Sequence, residues 1–248
     1  MPKPHSPKGG HRSLSLLAAL LVAICPAVSA QSPPRQFQWY DAAIAVAGVS
    51  VFLLVDNPVR TYMLDNQTAG KDDVADAFRK IGQPEVWALV PAVMVGTGLV
   101  FKKPGLARSG LRAVTSAVMA GGVAAVFKEV IGRVRPNVEG SEPLDFKPFS
   151  GNASMPSGHT SAAFGFSASL AQDVHPLWAK IGLYALATGT AWSRVYNNEH
   201  WTSDVVAGAV VGITSAKLVS GKWQVWGIRP PAIFTDGREV TVSWHGTF

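Results

Sequence analysis

The sequence has little cysteine and little charge. Its 248 residues include a single cysteine, Cys25, and only 15% of them are charged, whereas 48% are hydrophobic. A lone cysteine excludes a disulfide framework within the chain. So little charge beside so much apolar surface is compatible with contact with a membrane. The length suits one domain with a buried core.

The first thirty residues have the pattern of a secretory signal. Three basic residues precede the apolar run LSLLAALLVAI, and Val28 and Ala30 suit cleavage before Gln31. We expect residues 1–30 to be a signal peptide and the protein to be exported to the cell envelope; an uncleaved anchor is the alternative. Removal of the signal leaves about +3 of the formal charge of +6, which is too weak to indicate a nucleic-acid partner.

Most of the remaining chain predicts helices. Residues 31–40 (QSPPRQFQWY) are expected to form an irregular lead-in, because adjacent prolines lack amide donors and keep the backbone extended. The stretches that follow are rich in Ala, Val and Gly and show no long alternation of the strand type. Six such stretches cover about 41–55, 86–101, 110–131, 159–172, 177–193 and 203–220. The predicted fold is all-α, a helical bundle of about six core helices in one domain over residues 41–220.

Two further segments have patterns of their own. In KDDVADAFRKIG, residues 71–82, apolar side chains recur at helical spacing and charges fill the other face, which predicts an amphipathic surface helix. In the tail, residues 221–248, Asp236-Gly237 lies between two β-favouring runs, the second of which alternates. We expect a short C-terminal β-hairpin there; a disordered or loosely packed extension is the alternative.

Whether the apolar stretches cross a membrane depends mainly on their length. A perpendicular span needs about 20 apolar residues, and most of the uninterrupted runs are shorter. This favours a periplasmic protein that is soluble or attached to the membrane. The alternative is a multi-span inner-membrane protein, because Gly- and Ala-rich faces suit close helix packing in lipid as well as in water.

The first of three informative polar segments is KEVIGRVRP, residues 128–136. Lys128 and Arg135 are close to two helical turns apart, so they share one face of a helix that Pro136 ends. Two cations aimed at one point suit an oxyanion, for which Arg supplies a planar fork and Lys a point charge. Taken alone, the segment is better explained as a charged helix end in solvent or at an interface.

The second polar segment, MPSGHTS, precedes another predicted helix. Ser157 is placed to cap that helix, whose free amides and dipole favour a bound anion, and Gly158 lets the anion approach closely. His159, in the first turn, would donate a proton to a leaving oxygen. Alone, this triplet is better read as a capping serine beside an incidental histidine.

The third polar segment is SRVYNNEHWTSD, residues 193–204. His200 and Asp204 are four residues apart at the start of a helix, so their side chains meet on one face. An aspartate that holds one imidazole nitrogen leaves the other nitrogen nucleophilic. Arg194 adds a third cation. Without the flanking Ser193-Arg194, a local surface pair would be the better interpretation.

Together, the three segments resemble the type 2 phosphatidic acid phosphatase superfamily. Its pattern is Lys, six residues, Arg-Pro; then Pro-Ser-Gly-His; then Ser-Arg, five residues, His, three residues, Asp. All specified positions are filled here, by Lys128, Arg135, Pro136, Pro156, Ser157, Gly158, His159, Ser193, Arg194, His200 and Asp204. The resemblance covers roughly residues 110–215, and the predicted hairpin lies outside it.

The resemblance implies a helical bundle and a role for each matching residue. The phosphate-binding residues would be Lys128, Arg135, Ser157, Gly158 and Arg194. His200 would attack phosphorus in line, and Asp204 would orient it. His159 would protonate the departing alcohol and later activate the water that cleaves the phosphohistidine. Phosphoryl transfer depends chiefly on positioning and on cations, which agrees with the residues themselves, and no metal or other cofactor is required.

The predicted function is a phosphoric monoester hydrolase that acts on a phosphorylated lipid or a small-molecule phosphate. One alternative is a vanadium-dependent haloperoxidase, which holds vanadate in a similar pocket, and another is a catalytically silent membrane protein of the same fold. Four aromatic residues near the motifs are interpreted as packing residues, with an apolar substrate approach as the alternative. They are Trp178, Trp192, Tyr196 and Trp201.

Overall fold

The computed structural model describes residues 34–226, 232–235 and 240–243. The expected signal peptide, Cys25 and the cleavage site before Gln31 lie outside these residues, as does the expected Asp236-Gly237 turn. The described helices are α1 Trp39–Leu53, α2 Asp56–Asp65, α3 Ala69–Ile81, α4 Pro84–Val100, α5 Pro104–Ile131, α6 Gly158–Ala171, α7 Leu177–Tyr196 and α8 Thr202–Val219. The all-α fold class is therefore confirmed, and every predicted helix is present with shifted ends.

Two helices differ from the sequence-based expectation. Helix α2 was not predicted, because its sequence DNPVRTYMLD is largely polar and contains Pro58. The helix still forms, since Pro58 lies in its first turn, where proline is tolerated. Helix α5 begins at Pro104, a residue favoured in the first helical turn, and not near residue 110. The earlier start was missed because Arg108 interrupts the apolar run in the sequence. Local propensity at these positions is weaker than the packing that the bundle supplies.

Short strands join the segment before α1 to the segment after α8. Arg35–Gln36, inside the segment expected to be irregular, forms β1 and pairs in parallel with β2, Trp223–Gln224. The strands of the predicted hairpin are confirmed as an antiparallel pair, β3 Ala232–Thr235 and β4 Val240–Ser243. The lead-in and the start of the tail therefore lie side by side.

The core lies between α4, α5, α6 and α7, and small side chains allow close helix packing. Its buried members are Trp87, Met94, Leu106, Ala113, Ala117, Ala163, Phe166, Leu170 and Ala187. Helices α6 and α8 approach still more closely. A Cβ on Gly212 would lie 2.5 Å from the carbonyl oxygen of Ser161, so a larger residue would force the two helices apart.

Two of the described helices, α5 and α8, are long and apolar enough to cross a membrane. Helices α1 and α2, bent by 48° where they meet, would make a third if they count as one broken span. Much of the apolar surface of α5 faces outward; Val118 and Val126 are 69% and 65% exposed. Exposed apolar faces of this extent are typical of surfaces that contact lipid or another protein.

Candidate active site

The three polar segments meet at one end of the bundle, where α5 and α7 end and α6 and α8 begin. Lys128 lies in the last turn of α5, and His159 lies in the first turn of α6. Arg194 lies in the last turn of α7, and His200 comes just before α8. Because successive helices run in alternate directions, residues far apart in sequence share this end of the molecule.

A tight turn after α5 begins the loop that carries the next two arginines. Gly132 ends the helix with a φ of 59°, in the left-handed region that favours glycine. A Cβ there would lie 1.8 Å from the carbonyl oxygen of Lys147, so no other residue fits without displacing the chain. The turn leads directly into Arg133, which is buried, and then to Arg135, which is partly exposed.

A cavity of about 450 Å³ opens at this end of the bundle. Five of the eight predicted site residues line it: Lys128, Arg135, Gly158, His159 and His200. Ser157, Arg194 and Asp204 are buried and lie outside that lining. The structure therefore brings both histidines and two of the three cations to one shared space, with the remaining residues of the pattern packed around it.

Three cations form what we call the open cluster, Lys128, Arg135 and Arg194. Lys128 Nζ donates a hydrogen bond to the carbonyl oxygen of Ala153. Glu199 contacts Arg194, and its Oε2 atom lies 3.8 Å from Arg135 Nη1. Glu199 was not among the predicted site residues, because the family pattern leaves its position unspecified. One carboxylate for three cations leaves an excess of positive charge suited to an anion.

Ser157 occupies the N-cap position of α6 but does not cap the helix with its side chain. Its hydroxyl accepts a hydrogen bond from Thr160 Oγ1 at 3.0 Å, and its backbone amide donates to the carbonyl oxygen of Asp204 at 3.0 Å. The expectation that Ser157 caps the helix is therefore wrong. Its hydroxyl bonds within α6, its backbone amide joins α6 to α8, and Gly158 is the residue of this pair that lines the cavity.

His200 and Asp204 are adjacent, as their four-residue spacing predicts. His200 Nδ1 lies 3.4 Å from Asp204 Oδ2, which is longer than a usual N–H···O hydrogen bond, and Nδ1 has no other partner among the described residues. Asp204 Oδ2 also accepts hydrogen bonds from the amide of Trp201 and the hydroxyl of Ser154. The carboxylate is thus held on several sides, with one oxygen facing the imidazole.

Both histidines of the cavity are held in the neutral form. Burial lowers the pKa of His200 to about 4, although the neighbouring Asp204 acts in the opposite direction. Burial also lowers the pKa of His159 to about 4, and the positive charges of Arg194 and Lys128 lower it further. A neutral His200 has the lone pair that a nucleophile requires, whereas His159 needs a nearby anion before it carries a proton at neutral pH.

A second group of charges lies behind the cavity, and we call it the closed cluster: Arg133, Asp56 and Asp204. Arg133 donates to Asp204 Oδ1 and to Asp56 Oδ2, each at 2.6 Å, and the three side chains have no exposed surface. Sequence reasoning missed both new members. Arg133 lies among the unspecified residues of the first polar segment, and Asp56 belongs to the unpredicted helix α2.

The rest of the cavity is apolar. Trp87 and Ala88 of α4 line it, together with residues of α5 that include Val118 and Gly121. None of the four aromatic residues that the sequence analysis considered is part of this lining; Trp201 is 1% exposed, whereas Trp178 is 65% exposed. The packing interpretation fits Trp201, whose indole donates to the carbonyl oxygen of Val134 at 2.9 Å.

No group of three or more His, Cys, Asp or Glu side chains within the described ranges is arranged to hold a metal ion. The charged and titratable side chains that line the cavity are instead two cations and two imidazoles. Such groups bind anions, and the helix start beside Gly158 adds free backbone amides of the same preference.

Comparison with known proteins gives relatives of one family. Over 105 residues, 42% of this chain, the sequence is 35% identical to a lipid A 1-phosphatase of Porphyromonas gingivalis, of which the match covers 21%. It is 35% identical over 102 residues, 40% of the chain, to a lipid A 1-phosphatase of Rhizobium etli, of which the match covers 43%. The chain thus spans less than half the length of these curated relatives.

The fold is shared with a solved structure. The crystal structure of a transmembrane PAP2 type phosphatidylglycerolphosphate phosphatase from Bacillus subtilis matches with a TM-score of 0.54 and 22% identity, over 85% of this chain and 94% of the other. The family model of the PAP2 superfamily matches residues 109–243 of this chain. This match covers more than half of the sequence and includes all three polar segments, so the protein belongs to the PAP2 superfamily.

Proposed function

We propose that the protein is a phosphatase that hydrolyses lipid phosphate monoesters through a phosphohistidine intermediate, without a metal ion. The observation that carries this proposal is the single cavity that both histidines and two cations line at one end and apolar residues line along the rest. The open cluster binds the phosphoryl oxygens, and Gly158 and the start of α6 complete the binding site. Ser157 supports this site through its backbone.

In the first step, His200 Nε2 attacks phosphorus as the bond to the ester oxygen breaks. Asp204 holds the Nδ1 side of the ring, so the lone pair on Nε2 is directed at the cavity. The departing alcohol takes its proton from His159. In the second step, His159 removes a proton from water, the water oxygen attacks phosphorus, and the phosphorus–nitrogen bond breaks to release orthophosphate.

The charge of the substrate prepares His159 for its role. In the empty cavity, burial and the neighbouring cations keep the pKa of His159 near 4. A phosphate dianion brings negative charge beside the ring and offsets both effects, so the imidazole takes up a proton as the substrate binds. Arg194 Nε, which is buried and has no hydrogen-bond partner among the described residues, gains one in a phosphoryl oxygen.

An apolar substrate portion is supported by the remainder of the cavity. Its walls on α4 and α5 include Trp87, Val118 and Gly121, and they continue directly from the cationic end. A soluble sugar phosphate has no group that gains from such walls, whereas an acyl or prenyl chain does. The lipid phosphatases among the relatives favour the same substrate class.

Membrane association is part of this proposal. The site lies at one end of both candidate spans, α5 and α8, which would place it near a membrane surface, where a lipid headgroup is accessible. The exposed apolar surface of α5 supports a multi-span arrangement over the soluble one that the sequence analysis favoured. Export of the chain and a single domain over residues 41–220 remain part of the same proposal.

The proposal is tested by orthophosphate release from dipalmitoyl phosphatidate in detergent micelles. The parent protein is expected to release phosphate without added metal and in the presence of a chelator, and His200→Ala is expected to be inactive. Equal rates for parent and His200→Ala would refute the assignment. Peroxide-dependent bromide oxidation in the presence of vanadate is measured on the same preparation. Bromide oxidation would support the haloperoxidase alternative over the phosphatase.

The proposed preference for a lipid substrate is tested by a matched pair of variants. Gly121 lines the cavity and Gly122 does not, and a Cβ at either position meets no atom within 4 Å. Gly121→Leu is expected to raise KM for phosphatidate about tenfold while leaving hydrolysis of para-nitrophenyl phosphate unchanged, because the leucine side chain takes space along the apolar walls and leaves the cationic end open. Gly122→Leu is the control. Equal effects of both variants on both substrates would exclude the apolar walls as a substrate site.

A further inference from the structure

The closed cluster contains an arginine for which the hydrolysis described above has no role. Arg133 is fully buried and uses its guanidinium as a fork: Nη1 donates to Asp204 Oδ1 at 2.6 Å, and Nη2 donates to Asp56 Oδ2 at 2.6 Å. It does not line the cavity. Any effect of Arg133 on a reaction in the cavity must therefore pass through the groups that it holds.

Asp204 is the group through which that effect would pass. Its Oδ1 atom is taken by Arg133, so the carboxylate cannot rotate without breaking a buried charge-assisted bond. The other oxygen, Oδ2, is thereby left facing His200 Nδ1 at 3.4 Å. The rotation of the carboxylate decides which imidazole nitrogen is held and which is free to attack.

A second contact fixes Arg133 itself. Asp56, from α2, accepts hydrogen bonds from Arg133 and from the hydroxyl and the amide of Ser203, at 2.6, 2.6 and 2.8 Å. Arg133 Nη1 also donates to the hydroxyl of Ser203 at 2.6 Å. Helix α2, the loop after α5 and the start of α8 are thus joined at one point, one residue before Asp204.

The charges of this cluster fit the same role. Arg133 carries one positive charge against the two carboxylates of Asp56 and Asp204, so the buried group has one negative charge in excess. That excess lies beside His200, which becomes positively charged when its nitrogen bonds to phosphorus. A fixed negative charge at this distance stabilises the charged ring more than the neutral one.

We infer that Arg133, anchored by Asp56, is a positioning residue that sets the orientation of Asp204 and through it the reactive tautomer of His200. The inference rests on the proposed phosphohistidine reaction. It adds to the family pattern a residue that the pattern does not specify, and a helix, α2, that precedes the segment matched by the family.

The first test is a double-mutant cycle between Arg133→Met and Asp204→Asn with phosphatidate as substrate. Arg133→Met is expected to lower kcat about 100-fold, the size of effect that misplacement of a catalytic group produces, with KM and orthophosphate inhibition within twofold of the parent. In the Asp204→Asn background, the same change is expected to have less than a threefold effect, because the group it acts through is already lost.

Controls separate positioning from general destabilisation. Arg112, which pairs with Asp173 at 2.6 Å and is only partly buried, is the control for loss of an arginine–aspartate pair elsewhere in the bundle, and Arg112→Met is expected to leave kcat within twofold. If Arg133→Met does not fold, Arg133→Lys is tested in its place. Lysine keeps the positive charge but lacks the two guanidinium nitrogens that contact both carboxylates. A tenfold fall in kcat with unchanged KM supports the inference. Unchanged kcat in the folded arginine variant, or equal losses in both backgrounds, overturns it.

A spectroscopic readout makes the inference independent of activity. Nuclear magnetic resonance of protein with ¹⁵N-labelled histidine distinguishes the two tautomers by their nitrogen chemical shifts. The signal that is lost in His200→Ala is assigned to His200. The parent protein is expected to hold the proton of His200 on Nδ1, and Arg133→Met is expected to mix the tautomers. A parent protein without phosphatase activity would end the proposed function, whereas an unchanged tautomer in Arg133→Met would end the positioning role alone.

Discussion

The open and closed clusters lie side by side at one end of the bundle and differ in how their charges are matched. In the closed cluster, every charged group has a buried partner at 2.6 Å. In the open cluster, two of the three cations, Arg135 and Arg194, share one partly exposed carboxylate, and the cluster adjoins a cavity. Paired buried charges hold helices in place even though one carboxylate is in excess here, and removal of one partner leaves the other charge buried and unpaired. Unmatched cations are costly until an anion arrives, which is why the second arrangement indicates a binding site.

The largest expected effect comes from the nucleophile that lies between the two clusters. His200→Ala is expected to reduce phosphate release by about 10⁴-fold or more, because neither cluster supplies another group for attack. Orthophosphate binding by the open cluster is expected to survive, and isothermal titration measures it. Loss of binding together with activity would show that the two clusters do not act separately.

The closed cluster is expected to dominate stability. Arg133→Met is expected to lower the free energy of unfolding by about 3–5 kcal/mol, because two carboxylates are left buried without their cation. Thermal unfolding in detergent measures the change, with Arg112→Met as the comparison. A melting temperature equal to that of the parent would mean that the cluster contributes little to holding α2, the loop and α8 together.

The open cluster is expected to show the reverse behaviour. Arg135→Gln is expected to lower kcat/KM about 100-fold by removing a phosphate ligand, while the melting temperature stays constant or rises because like charges are relieved. Arg79→Gln, which breaks an exposed pair with Asp76, serves as the control for loss of a surface cation. A large loss of stability in Arg135→Gln would erase the distinction between the clusters.

Low pH is expected to weaken the empty protein through the two histidines. Their pKa values near 4 in the folded state lie below the usual 6.5, so the unfolded chain binds more protons between pH 6.5 and 4. Stability is therefore complete above about pH 6.5 and falls as the pH drops through this window, by about 2 kcal/mol at pH 5 for the buried His200. The contribution of His200 is measured by comparing how the melting temperatures of the parent and of His200→Ala change with pH across this range. The same change with pH in both proteins would contradict the prediction.

The smallest expected effect concerns the carboxylate of the open cluster. Glu199 lies where it competes with phosphate for Arg194 and Arg135, so Glu199→Gln is expected to tighten orthophosphate inhibition about fivefold, in line with about 1 kcal/mol for a partly exposed pair. Glu142→Gln, at an exposed contact with Asn57, is the control. Weaker inhibition in Glu199→Gln would show that this carboxylate supports the cluster and does not compete.

The two clusters were unequally visible in the sequence. Lys128, Arg135 and His200 belong to local motifs of fixed spacing, so the sequence was enough to select them. The predicted helix face shared by Lys128 and Arg135 was wrong, because α5 ends at Ile131 and Arg135 lies in the loop that follows Gly132. Arg133 and Asp56 have no such relation, because their bond joins residues that are 77 positions apart. A buried ion pair between distant segments leaves no periodic trace in either of them.

Packing also overrode what local pattern indicated. Helix α2 has only a short apolar face, Val59 and Met63, and it forms where Asp56 bonds to the start of α8. Ser157 has the residue type of a helix cap, yet its hydroxyl accepts from Thr160. In both cases the competing partner comes from a tertiary contact or a neighbouring turn, which residue preference alone does not rank.

By itself, the sequence determined the helical architecture and the family, because apolar stretches and fixed local spacings are properties of neighbouring residues. It also determined which side chains have the chemistry for an anion and for nucleophilic attack. Only the tertiary structure decided that Arg133 and Asp56 hold Asp204, that Glu199 accompanies the cations, and that an apolar wall continues from the site. These features depend on which helix ends meet, and that is set by the packing of whole helices and not by the order of the residues within one.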